Sequence, residues 1–208
     1  MNKWLIGCLS LLAVCLVLLL TYMALMRMPN PRTKRIDLDD LMVTRADFPQ
    51  GWGTSGGGPI PGRENQRGSE ETLGRHWIPE GLSEWGASQR IYRYRNVFQA
   101  IEAYFTENTD FFKVRGVSSW QVPAYWSYHS PVANQYRFAC TQASDVLDST
   151  TTTVCVARGQ YDEFISVFSA SIDPAYMTYA DLERVLRAID ERMARALGKP
   201  LPPSVTPP

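Results

Sequence analysis

Histidine is scarce in this 208-residue chain. There are two, His76 and His129, 53 positions apart, and neither has a Cys or second His at metal-ligand spacing. The four cysteines form no C-x-x-C pair and no C-x-x-C-H haem-attachment motif. No metal and no cofactor is therefore expected. Basic clusters are also missing from most of the chain. All 21 acidic residues follow Arg35, whereas five of the 21 basic residues do not, which leaves sixteen basic residues against 21 acidic ones beyond that point. A mildly acidic domain makes a poor nucleic-acid binder, because neutralising phosphates takes clustered Lys and Arg. No segment repeats.

Catalytic motifs are equally thin. "GTSGG" (Gly53 to Gly57) matches G-x-S-x-G in form. That motif works by placing its serine on a strained turn between a buried strand and a helix. Here "DFPQGW" precedes it and "GGPIPG" follows, and neither reads as a strand or a helix. Ser55 is read as a loop residue. The same glycines lack the Lys and Ser/Thr of a phosphate-binding loop. Acidic residues are scattered, with no pair that takes acid and base roles. The expectation is a protein that is not an enzyme.

What the chain does have is one long apolar run, "WLIGCLSLLAVCLVLLLTYMALM", from Trp4 to Met26. At about 1.5 Å per residue it reaches about 34 Å, enough for a hydrocarbon core of about 30 Å. A secretory signal has an apolar region of about 7–15 residues and ends in small residues. Tyr22 and Met23 stand where those would be, so residues 1–26 read as an uncleaved transmembrane anchor. "LIGC" resembles a lipid-attachment site locally, but such a site follows its apolar region, and here it precedes it. Residues 27–36, "RMPNPRTKRI", form a basic juxtamembrane linker.

Residues 37–198 read as one domain. Asp37 caps a short helical turn bearing Leu38, Leu41 and Met42, and Thr44 with Asp47 forms a second, box-like cap. Residues 51–86 hold ten of the fourteen glycines and read as a long Gly/Pro-rich loop, parts of it packed through Trp52, Trp77 and Trp85. "SQRIYRYR" alternates as a strand. Asn96 then caps a helix with Gln99 at its third position and Val97, Phe98, Ile101, Tyr104 and Phe105 on one apolar face. "NQYRFACTQ", "TTTVCVAR" and "DEFISVFSASID" read as three strands. The last helix starts at a Thr178/Asp181 capping box, carries Leu182, Val185, Leu186, Ile189, Met193 and Leu197, and ends at Gly198. The Pro-rich tail, 199–208, is extended. The fold class is α+β: an antiparallel sheet of about four to five strands with packed helices, preceded by one N-terminal transmembrane helix.

Two features remain. Cys140 and Cys155 sit on neighbouring strands around a turn near residues 144–151, close to opposite each other, which suits a disulfide. Two free buried thiols are the alternative. Trp120, Tyr125, Trp126, Tyr128 and His129 crowd into "WQVPAYWSYHSP". They read as a protein interface, a pocket wall, or rings closing over the sheet. The two ends of the span give opposing signals for its orientation. Positive flanking charge after the span favours keeping the domain inside. The cysteine pair favours an oxidising compartment, and it decides the expectation: single-pass in the cell membrane, domain on the extracytoplasmic (periplasmic or outer) side.

"LMVTRADFPQGW", followed by "SQRIYRYRNVFQAIEAYF", resembles a group of bacterial extracytoplasmic domains, lipoprotein-like or single-span. These begin with a segment like L-T-x-x-D-L-P-x-G-W and pass from a Tyr/Val-rich strand into an Ala-containing helix. The resemblance spans Leu41 to Phe112. This chain departs from the pattern with Phe48 in place of Leu and with its long Gly/Pro loop. The resemblance implies an exported, anchored, non-enzymatic domain and transfers no catalytic residue. The function expected is a membrane-anchored protein-binding domain, an accessory or stabilising subunit of a larger membrane complex, electron-transfer complexes among them. Its partners would be the membrane and other proteins of that complex. The alternative is an extracytoplasmic small-molecule or lipid sensor with an aromatic-lined pocket.

Overall fold

A computed structural model describes residues 3–28, 35–54, 60–61, 68–81, 86–111, 120–144 and 151–201. Ser55, most of the basic linker, Trp85, the turn after residue 144 and the end of the Pro-rich tail lie outside those residues. The first element, helix α1 (Lys3–Arg27), is apolar all round. Its Ser10–Arg27 stretch is long and apolar enough to cross a membrane, and none of it is buried against the rest of the chain. An all-apolar helix with no protein around it has no favourable partner in water.

Two single 3₁₀ turns follow, Asp39–Leu41 and Arg45–Asp47. The Thr44/Asp47 capping box is present. Leu38, Leu41, Met42 and Val43 are buried beneath these turns. Strands β1 (Trp52–Thr54), β2 (Ile60–Pro61), β3 (Glu71–Pro79) and β4 (Ala87–Arg93) come next, then helix α2 (Val97–Phe111). Strands β5 (Gln135–Ser144), β6 (Thr151–Tyr161) and β7 (Phe164–Ile172) lead to helix α3 (Tyr179–Leu197). Among the described residues six strands form one antiparallel path, β1-β3-β4-β7-β6-β5, and the two-residue β2 pairs beside β3.

The α+β architecture is as expected, but the sheet is larger than four to five strands. The addition lies within 51–86, where the nine-residue β3 runs in full register against β4, from Glu71 opposite Arg93 to Trp77 opposite Ala87. Its sequence, ETLGRHWIP, puts Leu73, Arg75 and Trp77 on one side and Thr72, Gly74 and His76 on the other, so no apolar alternation announces a strand.

The sheet has two different faces. On one, Trp77, Ala87, Ile91, Phe138, Cys155, Ala157, Phe164, Phe168 and Ala170 pack under α3 and the 3₁₀ turns. Gln89 is buried there and holds the turns down: its Oε1 accepts from the Val43 amide at 2.8 Å, and its Nε2 donates to Ser166 Oγ at 3.2 Å. Phe48 stacks between Trp52 and Trp77 with ring centroids 5.1 and 4.9 Å away. On the other face Tyr92, Tyr94, Ala139, Val156, Ile165 and Val167 pack under Ala100, Ala103 and Tyr104 of α2. Arg158 is fully buried there, with Nη2 donating to the Ala103 carbonyl at 3.3 Å.

Helix α3 follows its sequence closely. Thr178 Oγ1 accepts from the Asp181 amide, Leu182, Val185, Leu186, Ile189 and Met193 are buried, and Gly198 closes the helix at φ 66°, a left-handed conformation that glycine adopts without strain. Helix α2 does not. Asn96 caps it as expected, accepting the Gln99 amide at 3.0 Å. The buried face, however, is Ala100, Ala103 and Tyr104, while Phe98 and Phe105 point outward at 39% and 56% exposure. Two alanines let the helix lie close on the sheet, so of the predicted apolar face Tyr104 packs inward while Phe98 and Phe105 turn away.

Candidate functional site

Residues 120–134 carry the aromatic cluster from one face of the sheet to the other, around the edge of β5. Gln121 fixes the crossing point. Its amide donates to the Cys140 carbonyl at 2.9 Å, and the Cys140 amide donates back at 2.8 Å. Cys140 therefore spends its backbone groups on the outer edge and none on β6. In the β5–β6 ladder it is a non-hydrogen-bonded position, the kind at which facing side chains come closest. Cys155 is its register partner, with Cα atoms 4.0 Å apart and the two sulfurs at bonding distance, 2.08 Å. The expected pairing is thus the one the strand register provides.

Of the five side chains read from the sequence as one site, Trp120 stands apart, and the other four are linked by ring contacts on the α3 side. Trp120 packs on the α2 face. Trp126 lies on the α3 face, stacked on Phe138 with centroids 4.1 Å apart. Tyr128 is buried beside it. His129 is exposed, with its ring edge-on to Tyr136 at 5.1 Å. Tyr125 is 67% exposed. Trp120, separated from the others by the thickness of the sheet, cannot line one pocket with them. A cavity of about 300 Å³ lies elsewhere, lined by Met26, Tyr94, Gln99, Glu102 and Thr106.

What the segment does build is a buried polar centre on α3. Asp190 is 1% exposed and takes three hydroxyl donors. Tyr128 Oη reaches Oδ2 at 2.5 Å; Ser130 Oγ and Tyr161 Oη each reach Oδ1 at 2.8 Å. Ser130 Oγ also accepts from the Ala133 amide at 2.9 Å, which turns the chain toward β5. The Arg187 guanidinium lies over the Tyr128 ring at 4.7 Å. Gly159 makes room for this arrangement, since a Cβ there would sit 2.5 Å from the Tyr161 ring.

Burial pushes the Asp190 carboxyl above its ordinary range, opposed by the hydrogen bonds from Tyr128, Ser130 and Tyr161 and by Arg187. The Tyr161 and Tyr128 hydroxyls are also pushed up, first by burial and then by the Asp190 charge. Both oxygens of Asp190 are engaged by hydroxyl donors and closed to solvent. The arrangement pins α3 to the 120–134 segment and β6, and it presents no group to a substrate. Among the described residues no group of three or more His, Cys, Asp or Glu could hold a metal ion.

Two surfaces remain in play, at opposite ends of the sheet. The β4 end that leads to Asn96 meets α1. Asn96 Nδ2 donates to the carbonyls of Leu25, Met26 and Met28 at 3.3, 3.2 and 2.7 Å, and Gln99 Nε2 donates to that of Met26 at 3.1 Å. The last carbonyls of a helix have no partner within it, and here another helix's cap supplies one. The other end carries Tyr125, Tyr176 and Tyr179. Tyr125 and Tyr179 meet edge-on at 5.0 Å, and Tyr176 is 39% exposed while its carbonyl accepts from Trp52 Nε1 at 3.0 Å. Burial, then the hydrogen bond with Tyr125, pushes Tyr179 up to about 12.

Sequence reasoning missed Asp190 and the Asn96–α1 contact. Asp190 carried a signal: the helical period places it on the buried stripe beside Leu186 and Met193, where a lone carboxylate needs donors. Asn96 carried none, because its cap role already accounted for it. In comparisons with known proteins no family model matches the chain, and no curated protein or solved structure does.

Proposed function

We propose that this chain is a membrane-anchored protein-binding domain, an accessory or stabilising subunit of a larger membrane complex, with α1 crossing the bilayer once. The observation that carries the reading is the union of α1 with the domain: an unburied apolar helix whose last carbonyls are hydrogen-bonded by Asn96 and Gln99. This is a mount that fixes the domain's direction relative to the bilayer. The tyrosine end, Tyr125 with Tyr176 and Tyr179, lies at the other end of the sheet from Asn96. Tyrosine is favoured at protein interfaces because it buries apolar area while its hydroxyl keeps a polar partner. The buried centre at Asp190 holds the 120–134 segment, which carries Tyr125, against α3. The domain is assigned to the extracytoplasmic side, supported by the facing pair Cys140 and Cys155, since disulfides persist in oxidising compartments. The resemblance of the Leu41–Phe112 region to exported bacterial domains agrees with this assignment.

Extraction of the full chain in a mild detergent, followed by native mass measurement, tests the proposal. It predicts a species heavier than the 23.5 kDa chain, containing a second protein in fixed ratio. A 23.5 kDa species alone counts against it.

A further inference from the structure

We propose that the cavity between the start of the domain and the end of α3 holds the headgroup of a zwitterionic phospholipid, its phosphate on Arg35 and Arg195 and its ammonium on Asp37 and Asp40; the site rests on the reading that α1 spans the membrane. The cavity has a volume of about 640 Å³, and its walls include Arg35, Ile36, Asp37, Asp40, Arg192 and Arg195. It lies at the end of the sheet that receives α1. Arg93 Nη1 donates to the Ile36 carbonyl at 2.9 Å, and Asn96, three residues on, donates to the Met28 carbonyl at 2.7 Å. Three extended residues span about 10 Å, so the Ile36 wall stands close to the end of α1. Helix α3 ends on the same side. Lys199 pairs with Asp162 at 2.8 Å, and the carbonyl of the next residue, Glu163, accepts the Tyr94 amide at 2.9 Å.

Charges of both signs line this cavity without neutralising each other. Each arginine pairs with a carboxylate outside the lining: Arg35 with Glu71 at 3.0 Å, Arg192 with Asp47 at 2.8 Å and Arg195 with Glu191 at 3.5 Å. Among the described residues Asp37 and Asp40 form no ion pair; Asp37 Oδ1 accepts the Asp39 amide at 3.0 Å. Arg192 is committed to its partner, with a side chain 19% exposed and Nη1 also donating to the Ala188 carbonyl. The Arg35 and Arg195 side chains are 76% and 62% exposed, and exposed pairs of this kind hold weakly. A guanidinium offers a phosphate two parallel N–H donors. Carboxylates in the same cavity disfavour a plain anion, because they repel it. They suit a molecule that carries an ammonium beside its phosphate. An ethanolamine headgroup has both groups, and its ammonium has N–H donors for Asp37 and Asp40. A choline headgroup has the positive charge without the donors, and a glycerol headgroup has neither. Soluble phosphoethanolamine carries the same groups as the lipid; the place of the cavity beside α1 favours the lipid.

Native mass measurement of the full chain in mild detergent tests the site by counting the lipid it keeps when phosphatidylethanolamine, phosphatidylcholine or phosphatidylglycerol is added at equal fraction. Phosphatidylethanolamine is expected to be kept about threefold or more over either of the others. Arg35→Gln with Arg195→Gln should bring its retention down to the level of phosphatidylglycerol. Asp37→Asn with Asp40→Asn should bring it down to that of phosphatidylcholine; asparagine at position 37 keeps an oxygen for the Asp39 amide. Arg184→Gln, in the first turns of α3, should leave it unchanged. The preference of the wild type is decisive whether or not a variant folds. Phosphatidylglycerol kept as well as phosphatidylethanolamine, by chain that resists carbonate extraction from vesicles, overturns the site and leaves the spanning helix standing; attraction between a basic flank and anionic lipid then explains the binding. A preference unchanged in both double variants also overturns it. Soluble phosphoethanolamine that raises the unfolding temperature while no lipid is kept overturns the lipid assignment and gives the cavity to a small molecule. Chain stripped by carbonate removes the spanning helix and the site together.

Discussion

Asp190 is the residue on which most of the aromatic segment depends. Its donors stand 29, 60 and 62 positions away along the chain, at Tyr161, Ser130 and Tyr128. Its carboxyl is held above its unfolded range, so its contribution to stability is complete at pH below about 3.9 and is lost as pH rises through the folded value. Denaturant midpoints of the wild type should therefore fall over that rise relative to those of an Asp190→Asn variant. The raised Tyr128, Tyr136 and Tyr161 hydroxyls act in the same sense, with stability lost as pH climbs above about 10. Removing one donor by Tyr161→Phe should cost about 1–3 kcal/mol in chemical denaturation. Gly159→Ala should cost a similar amount, about 1–3 kcal/mol, by driving the Tyr161 ring off the carboxylate. None of this was legible beyond the odd position of an acid on an apolar stripe. The donors converge only when the segment wraps the edge of β5, and local pattern does not encode a wrap.

At the scale of elements, legibility followed the size of the side chains that make contact. Helix α3 was readable because Leu, Val, Ile and Met both form its periodic stripe and fill the core. In α2 the periodic stripe named Val97, Phe98, Ile101, Tyr104 and Phe105; Tyr104 is buried, but the rest of the contact is made by Ala100 and Ala103, which a hydrophobic pattern underweights. Ala100 is fully buried. Ala100→Leu should thus destabilise the domain by about 1–3 kcal/mol in thermal or chemical unfolding. Phe98→Ser and Phe105→Ser should each change the stability of detergent-solubilised chain by less than about 0.5 kcal/mol. The same reasoning explains β3. Its Gly74 and alternating polar residues hide a strand whose existence is settled by the neighbour it pairs with. The β5–β6 hairpin was legible because a cysteine pair symmetric about a turn marks the register. Its closure joins residues 15 apart in sequence. If the pair is oxidised in the native protein, reduction should lower unfolding free energy by about 3 kcal/mol, and the thiols should resist alkylation until then.

The whole molecule reads as a mount with two ends. One end receives α1 through Asn96 and Gln99; the other presents Tyr125 and Tyr176. The apolar helix and the domain were visible in the sequence as separate things, because an apolar run and a Pro-containing linker suggest a tether. Their union was not visible, since it consists of amide side chains reaching backbone carbonyls, which any sequence could offer. The central claim is the proposal that this domain holds another protein through the tyrosine end of its sheet, opposite Asn96. The most direct measurement compares native masses of full chain extracted in mild detergent, wild type against Tyr125→Ser with Tyr176→Ser. The account predicts an assembly of fixed ratio for the wild type, and the bare 23.5 kDa chain for the variant at unchanged thermal stability. A wild type that is itself a 23.5 kDa monomer, or a variant that keeps the full assembly, would contradict it.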